Sequence, residues 1–512
     1  MALAAGEVTK LKSTRQEMRC RFVSFPTYVP GSIMEISTGA WTWADLVNIF
    51  PRYSWVANSG TIILDGSESL QHGGAAATGH SWTLTDDDGG AAAGALSGAG
   101  DSRTYTAPGA GSGCDRVELQ TTNNSEPNWA YVAYGDQALN IGQVMSFHAD
   151  ISRGGWEMVV RAYGDCTGLE RQKAVCVVLD AYWNGSEDTF GGFGWAKGVF
   201  CGYVHQRRTI HEDSEVAYVE VTLVSPQSLL AKAFLSQEVF FSSGAEANAV
   251  QVADLKVIDV VWILLYMSDF NYRNNCIVFD DTNEIANLKI SPGPLWDIMA
   301  DVAARTFCQI HAKRQGDVYA LPDPDIRWGD YEATIDEELT LATDLFESID
   351  LVSQQVGIAT GDPPPDAENE IGQIVFNALD SNLDEIWARW PSNANLVNGK
   401  RIAVSGLICE SASTLETWAG RYWYKLQPQL EADIRLFAMP IWDLYYWLYL
   451  TYTPDSDRIT NTGIETDLNR NEFYVTSIDV DIDPGMGTWR GGIHIVNRGD
   501  QFQGDVGENS DD

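Results

Sequence analysis

The chain has 512 residues, more than a single hydrophobic core usually organises, so we expect about three or four domains. Hydrophobic residues make up 45% and charged residues 20%, a balance that excludes an intrinsically disordered chain. A formal net charge of −38 without a sizeable Lys/Arg cluster excludes tight binding to nucleic acid or to an anionic membrane.

The predicted elements begin with two strands, Arg19–Phe25 and Ser32–Ser37, because proline and glycine turns separate two β-prone runs there. The residues before them, Met1–Gly6, lack a basic region followed by an apolar run, so we predict no secretory signal. A short helix should follow at Trp43–Phe50, where apolar residues lie three and four apart and Pro51 ends the pattern.

Residues 54–124 differ in composition from the rest, because Gly, Ala, Ser, Thr and Asp dominate and short strand-like runs alternate with turns. This pattern is typical of a small β-sandwich, for which Trp82 is the candidate core aromatic. The four predicted strands are Gly60–Leu64, Ser81–Thr85, Arg103–Thr106 and Arg116–Thr121.

The order of phrases in this segment resembles a polycystic-kidney-disease (PKD) or other immunoglobulin-like (Ig-like) module. The Gly/Ala-rich stretch 89–100 departs from that family, because it is longer than the usual loop. The phrases that carry the resemblance are Ile63–Ser69, Ser81–Leu84, Tyr105–Pro108 and Val117–Leu119.

Residues 125–245 return to strand-length runs separated by Gly-rich turns, which predicts a β-barrel or sandwich. Residues 246–290 read as mixed and partly helical. The predicted strands of the first stretch are Val144–Ile151, Met158–Tyr163, Lys173–Ala181, Val199–Arg207 and Ala217–Val224.

The clearest local unit is a helix followed by a hairpin. Pro294 suits a first helical turn, and the apolar residues that follow it are spaced three and four apart. The helix should begin at Leu295 and lead into strands at Cys308–Ala312 and Val318–Leu321.

A second β-rich body is predicted over residues 345–510, with one helix at Ala412–Leu426. Residues 361–400 read as an insertion or long loop, because three consecutive prolines stand at its start. The predicted strands of this body are Ile349–Gly357, Arg401–Cys409, Glu472–Ile482 and Thr488–Val496.

The expected fold class is mainly β with an α+β middle: two barrel-like β domains, a helix–hairpin domain and an inserted Ig-like β-sandwich. The domain boundaries follow from these elements. They are residues 1–53 with 125–245 for the first barrel-like domain, 54–124 for the sandwich, 246–344 for the mixed helix–hairpin domain, 345–500 for the second barrel-like domain, and 501–512 for an acidic flexible tail.

This order resembles that of hub proteins at the tips of phage tails and in contractile injection systems. Three phrases carry the resemblance, one in the first barrel, one in the helical unit and one in the closing hairpin of the second barrel. They are Gly198–Val204, Pro294–Ala303 and Asn471–Trp489.

The resemblance implies a structural protein and not an enzyme. It implies a homotrimer whose two barrels per chain form a ring with near sixfold symmetry, placed between a tail tube protein and a spike or tip protein. A tape measure protein is a further expected partner, and the Ig-like module would contact the host surface or a neighbouring subunit. The expected location is the virion tail, assembled in the host cytoplasm.

The eight cysteines are scattered without a C-x-x-C pair, so we predict reduced, buried thiols and no thiolate zinc site. The most apolar windows, Val257–Met267 and Phe437–Leu450, are too short or too interrupted to span a bilayer, so we predict no membrane anchor.

Candidate chemistry is sparse. His205 and His211 lie six apart on or after a strand, too far apart for one metal, and we interpret them as surface residues. His311 in the hairpin is interpreted as a satisfied side chain. The turn Asp86–Gly89 offers oxygen ligands for calcium, but a solvated acidic turn is the favoured interpretation because no further carboxylates are suitably spaced.

Two further patterns stay open. The acidic pairs Glu337-Glu338 and Glu368 with Glu370 could serve glycoside cleavage, but they lie in polar loops without a cleft-forming pattern. A dense aromatic run is either a sugar-stacking surface or, as we favour, a packed interface. Its members are Trp442, Tyr445, Tyr446, Trp447, Tyr449 and Tyr452.

No catalytic residue, cofactor site or metal ligand is therefore assigned. A surface adhesin or carbohydrate-binding β-module protein is the first alternative to a tail hub, supported by the Ig-like stretch and 18 tryptophans. A tail-associated cell-wall hydrolase is the second.

Overall fold

The protein is described from a computed structural model, which confirms a mainly β fold with several sheets. The structure describes residues 16–28, 33–41, 45, 47–67, 69, 71, 76–123, 127–135, 139–140, 144–152, 155–162, 168–183, 186–187, 197–212, 216–268, 276–277, 284–312, 318–327, 338–342, 346–353, 371–380, 384–392, 400–426, 430–436, 444, 447–451, 472–483 and 488–497.

The first part of the chain is built from strands. They are β1 (Gln16–Tyr28), β2 (Ile33–Met34), β3 (Gly39–Ala40), β4 (Tyr53–Val56), β5 (Thr61–Asp65), β6 (Ser81–Asp86), β7 (Ala95–Ser97), β8 (Ser102–Thr106), β9 (Gly113–Gln120), β10 (Asn128–Tyr134), β11 (Leu139–Asn140), β12 (Val144–Ser152), β13 (Gly155–Ala162), β14 (Lys173–Trp183), β15 (Ser186–Glu187), β16 (Lys197–Glu212) and β17 (Val216–Val224).

The second part mixes helices and strands. In chain order they are α1 (Pro226–Leu230), β18 (Phe234–Leu235), β19 (Val239–Ser242), β20 (Val250–Gln251), α2 (Val257–Met267), β21 (Cys276–Ile277), β22 (Asn287–Ile290), β23 (Gly293–Pro294), α3 (Leu295–Ala304), β24 (Cys308–Ala312), β25 (Val318–Pro322), β26 (Glu338–Ala342), β27 (Phe346–Ser353), β28 (Ile371–Leu379), β29 (Glu385–Trp390), β30 (Lys400–Ile408), α4 (Ala412–Lys425), β31 (Leu430–Leu436), β32 (Trp447–Thr451), β33 (Glu472–Asp483) and β34 (Thr488–Asn497).

Two sheets, β4-β10-β9-β6 and β5-β8-β7, enclose one apolar core and form a β-sandwich. The four predicted strands of this segment are confirmed as β5, β6, β8 and β9. The sandwich also takes in β10, beyond residue 124. Trp82 packs on this core while partly buried, and the fully buried ring is that of Tyr105.

The helix predicted at Trp43–Phe50 is wrong for the described part of that segment. Residues 47–49 are not helical; Val47 and Ile49 instead alternate into the sandwich core. The backbone N–H of Asn48 donates to Ser69 Oγ at 2.9 Å, and Phe50 pairs with Asp65 through two hydrogen bonds of 2.7 Å. Apolar residues two apart in the sequence fit an extended strand, and apolar residues three or four apart fit a helix. This short run contains both spacings, which explains the error.

The middle of the chain confirms the predicted helix and hairpin. Helix α3 begins at Leu295, its apolar face is buried, and β24 pairs with β25 in an antiparallel hairpin that aligns His311 with Tyr319. Helix α2 is buried on nearly all sides, in line with its continuous apolar run.

Of the two alternatives for residues 361–400, an insertion or a long loop, the long loop is wrong for much of the described part. Strands β28 and β29 lie there, and with β30 they form a separate sheet, β29-β28-β30. Helix α4 packs on one face of this sheet, with Trp418 and Phe376 in the shared core. Strand signals at Ile371–Leu379 alternate too weakly to stand out beside the preceding prolines.

The expectation of reduced thiols is wrong for Cys201, which is disulfide-bonded. Cys201 in β16 lies directly opposite Cys176 of β14 in antiparallel register, a juxtaposition that the spacing of the cysteines in the sequence does not reveal. Cys114, Cys308 and Cys409 are buried thiols, and burial raises the pKa of Cys409 to about 11.

Candidate assembly interface

One large sheet, here called the wall sheet, runs through both ends of the chain. Its strand order is β11-β1-β14-β16-β17-β13-β12-β33-β34-β31-β27, with β26 and β32 attached at β33. Strand β12 joins β33 in antiparallel register from Phe147↔Ile482 to Ile151↔Ile478. This pairing, here called the junction, makes the two halves one continuous surface.

The wall sheet contains the same six-strand plan twice. The first β body comprises β1, β12, β13, β14, β16 and β17, and the second comprises β26, β27, β31, β32, β33 and β34. Numbered along the chain within each body, the strands lie in the order 1-4-5-6-3-2 in both. The bodies differ at their first strand, since β1 is antiparallel to β14 whereas β26 is parallel to β32.

Two irregularities in the pairing fall at the same places in both bodies, whereas the shift between Ser24 and Tyr28 in β1–β14 has no counterpart in β26–β32. The β16–β17 register shifts between Val204 and Gln206, and the β33–β34 register shifts between Val475 and Ser477. The β12–β13 pairing shifts just before Ser146↔Arg161, and β27–β31 shifts just before Ser348↔Arg435. Because β-bulges fix register, these matches align the two bodies residue by residue.

The alignment pairs several identical residues. They are Ser146 with Ser348, Glu157 with Glu431, Arg161 with Arg435, Tyr203 with Tyr474 and Val204 with Val475.

Each body carries an insertion at a different point of this plan. The sandwich lies between the first and second strands of the first body. Helix α4 with the sheet β29-β28-β30, here called the α4 unit, lies between the second and third strands of the second body. The two bodies therefore keep the same strand order although their insertions differ.

Several edges of the wall sheet lack a strand partner within the described residues, including those of β11 and β26 and two that are described next. Strand β27 is the last strand on one side, pairing with β31 alone. On the other side, β14 accompanies β16 only as far as Tyr203, and no described strand continues along that edge. Side chains 205–209 are all exposed, as expected for a strand that overhangs its neighbour.

One face of the wall sheet is apolar and buried, and the other carries charge. In β33, Ile478 and Val480 are buried while Asp479 and Asp481 alternate with them on the open face. Carboxylates outnumber guanidinium groups on the described part of this open face. The acidic members are Asp150, Glu157, Glu220, Glu431, Asp433, Asp479 and Asp481, and the basic ones are Arg161, Arg208 and Arg435.

Glu220 in β17 ties three neighbouring strands together. Its carboxylate accepts from Arg161 Nε of β13 at 2.7 Å and from Arg208 Nε of β16 at 2.6 Å. Burial alone would raise the pKa of Glu220, but the hydrogen bonds from the two arginines outweigh it and lower that pKa. The second body places Arg435 Nη1 2.6 Å from Asp479 at the matching rows, with Gly492 between them.

We expect Glu220→Gln to reduce the unfolding free energy by about 0.5–1 kcal/mol at neutral pH, since both arginines are about half exposed. A carboxylate whose folded pKa is depressed stabilises the fold above its ordinary value of 4.5 and loses that effect as the pH falls below it. Urea unfolding at pH 7 and pH 3 measures this. A difference between variant and wild type that stays the same at both pH values contradicts the assignment.

A buried charge cluster joins the residues that follow the β24–β25 hairpin, helix α4 and the second β body to one another. Lys425 Nζ, at the end of α4, lies 2.9 Å from Asp323 Oδ2 and 3.1 Å from Asp325 Oδ2. Tyr474 of β33 donates to Asp325 Oδ2 at 2.8 Å, and Gln309 of β24 donates to Asp323 Oδ2 at 2.8 Å. Burial raises the pKa of Asp325, and the two carboxylates raise the pKa of Lys425 against its burial.

The sandwich is held on the first β body by aromatic packing. The ring of Phe25 in β1 lies 4.7 Å from that of Tyr53, which stacks at 6.2 Å on Tyr131. Arg52 is buried, lies over the Trp129 ring at 3.9 Å and donates from Nη1 to Asn128 Oδ1 at 2.7 Å. Phe25 therefore joins the first β body to the aromatic rings of the sandwich, while Arg52 packs within the sandwich itself.

The residues weighed as candidate chemistry do not converge. His205 and His211 are both exposed, and His311 is buried in the hairpin. In the acidic turn, Asp86 Oδ1 accepts from the backbone N–H of Gly90. Nearby Asp115 accepts from Tyr105 OH at 2.7 Å and from the Gly94 N–H at 2.8 Å, so neutral donors satisfy this carboxylate.

Several candidates lie outside the described residues. Glu337, Glu368 and Glu370 do, as do the side chains of Glu338 and of the aromatic run. Across the ranges that are described, no group of three or more His, Cys, Asp and Glu side chains could hold a metal ion. Among the described helices, none combines the length and apolarity needed to cross a membrane.

No family model matches the chain, and no curated protein matches it either. The chain is similar to the solved structure of the tail protein from Neisseria meningitidis MC58, with 10% identity, 69% of this chain and 92% of that chain covered, and a TM-score of 0.44. It is similar to the E. coli c3393 protein, a type VI secretion system component reported to resemble T4 bacteriophage tail proteins gp27 and gp5 (7% identity, 69% and 73% covered, TM-score 0.39).

A third similar structure is the lidded Francisella PdpA–VgrG complex, with 10% identity, 71% of this chain and 50% of that chain covered, and a TM-score of 0.35. These comparisons leave the Ig-like assignment of the sandwich unconfirmed. At such identities and TM-scores, the likeness assigns no residue and no activity to this chain.

Proposed function

We propose that the chain is a structural subunit of a closed ring that joins the tail tube to the tip or spike of a phage tail or related injection machine. The observation that carries the proposal is the repeated six-strand plan, joined edge to edge within one chain. Repeated interfaces that close on themselves generate rings. Three copies would supply six similar β bodies, which suits a sixfold tube on one side and a threefold spike on the other.

The charge on the wall sheet supports a role as a channel lining. A closed ring would hide the sheet's apolar face against the insertions and the middle domain, and turn its acid-rich face to the lumen. Phosphate backbones are repelled by such a surface, so DNA passing through would not adhere. The proposal assigns no catalytic role to the chain.

The proposed partners follow from this position. A tube protein and a spike or tip protein would contact the two rims of the ring, and a tape measure protein would end at its lumen. The docked sandwich would stand outside the ring, where it contacts the host surface or a neighbouring subunit. The proposed place of action is the tail, after assembly in the host cytoplasm.

Native mass measurement of the purified full-length chain tests the proposal. We expect a species of three chains at micromolar concentration. A persistent monomer that binds polysaccharide would instead support the adhesin alternative, and a persistent monomer or dimer of any kind contradicts the ring.

A further inference from the structure

We infer that the ring is closed by strand addition: β27 of one copy pairs, antiparallel, with the overhanging end of β16 in the next copy. The inference rests on the proposed function and names the joint between copies, which the repeat specifies residue by residue. The partner is a second copy of this chain, joined head to tail.

The junction inside the chain is the template. Strand β33 is long, and one of its edges is shared: Glu472–Tyr474 pair with β32 of the same body, and Ile478–Ile482 pair with β12 of the other body. Strand β16 holds the equivalent position in the first body. Its Lys197–Tyr203 stretch pairs with β14. By analogy with β33, the same edge of β16 after Tyr203 is where a strand from another body would pair.

The same comparison also identifies the strand that would pair with this edge of β16. Strand β12, which fills that place on β33, is the second strand of the first body, and its equivalent in the second body is β27. Strand β27 ends the wall sheet with its outer edge uncovered by any described strand. Both halves of the joint are therefore present on each copy, at two different edges of one sheet, which gives a heterologous interface that can close.

The matched bulges fix the register of this joint. Val204 aligns with Val475, and Ser146 aligns with Ser348. Applied to the residue pairs of the junction, this alignment gives the pairs expected between β16 of one copy and β27 of another. The junction pair Asp479↔Asp150 corresponds to Arg208↔Val352, and the junction pair Val480↔Ala149 corresponds to Thr209↔Leu351. The next two pairs are Ile210↔Asp350 and His211↔Ile349.

Charge favours the same pairing over its alternatives. The overhanging part of β16 carries His205, Arg207, Arg208 and His211 within seven residues, before the strand ends at Glu212. The β27 segment carries Glu347 and Asp350. Pairing β16 with β16 would bring its arginines together, and pairing β27 with β27 would bring its carboxylates together; like charges close to one another destabilise a sheet.

Cysteine cross-linking of the full-length protein tests the register. In Thr209→Cys with Leu351→Cys, mild oxidation should link the chains covalently into species of two and three copies on a denaturing, non-reducing gel. The register-shifted pair, Thr209→Cys with Ser353→Cys, is the matched control, and we expect its yield of linked chains to be at least about fivefold lower. Each single variant should give no linked species.

The native mass of the cysteine variants under reducing conditions tests the ring separately from the β16–β27 joint. A trimer that does not cross-link at Thr209 and Leu351 overturns the joint but leaves the ring. If the double variant fails to form a trimer although the wild type forms one, hydrogen exchange on the wild-type trimer takes its place. Because β27 already pairs with β31, the informative amides are those of residues 349–352 that point away from β31. Slow exchange at these amides is expected, and fast exchange overturns the joint. Linked dimers from Leu351→Cys alone overturn it as well, since they require two-fold pairing.

Discussion

Lys425→Met should lower the unfolding free energy by about 3–5 kcal/mol, the usual cost of removing one partner from a buried ion pair. The lysine ammonium is the cation between Asp323 and Asp325, whose side chains are only 8% and 2% exposed. Without it, two carboxylates remain buried beside each other. Urea unfolding followed by tryptophan fluorescence measures the loss.

Lys289→Met is the matched control, because Lys289 also forms an ion pair, with Glu238, but both side chains are more than half exposed. We expect its cost to be about 0.5 kcal/mol or less. Adding Asp325→Asn to Lys425→Met should restore part of the loss, since it removes one of the two buried charges. Equal costs for the two lysine variants would show that the cluster does not lock the three parts of the molecule together.

Asp115→Ala should destabilise the sandwich by about 2–3 kcal/mol, because it leaves a buried hydroxyl and backbone N–H groups without an acceptor. Asp115 is fully buried in β9 and accepts from Tyr105 OH, while burial and this carboxylate raise the pKa of the tyrosine well above its ordinary range. Differential scanning calorimetry should show the early loss of one part of the transition.

Asp115→Asn keeps the shape and one acceptor oxygen, so we expect a smaller loss of about 1 kcal/mol. Glu118→Ala removes a part-exposed ion pair with Arg116 from the same strand and is the matched control, with a cost within about 0.5 kcal/mol. The native mass of Asp115→Ala should remain that of the ring, because the sandwich lies outside the wall sheet. A monomeric Asp115→Ala variant would contradict that placement.

The sequence predicted those elements that depend on turn residues and on the spacing of nearby apolar residues. Turn residues and alternation located the sandwich strands, and Pro294 with its apolar spacing located α3 and the hairpin that follows. The same reasoning misread Trp43–Phe50, because a short apolar run fits a helix and an edge equally well. It also missed β28 and β29, which lie in a segment whose prolines suggest a loop.

The candidate interface could not be predicted in this way, because it depends on pairings between strands far apart in the chain. The junction joins Phe147–Ile151 to Ile478–Ile482, and only these pairings show that the two bodies have one plan. Identical pairs such as Arg161 with Arg435 are too few and too irregularly spaced to stand out, since insertions of different length separate the strands. The matching bulges, which carry the alignment, leave no mark in composition or periodicity.

End-on electron microscopy of the purified full-length protein measures the central claim most directly. If two like β bodies per chain form a continuous wall, class averages should show a closed ring around an open lumen, with three outer lobes and near sixfold density at the wall. Isolated particles without a lumen, pairs related by a two-fold axis, or open filaments would contradict it.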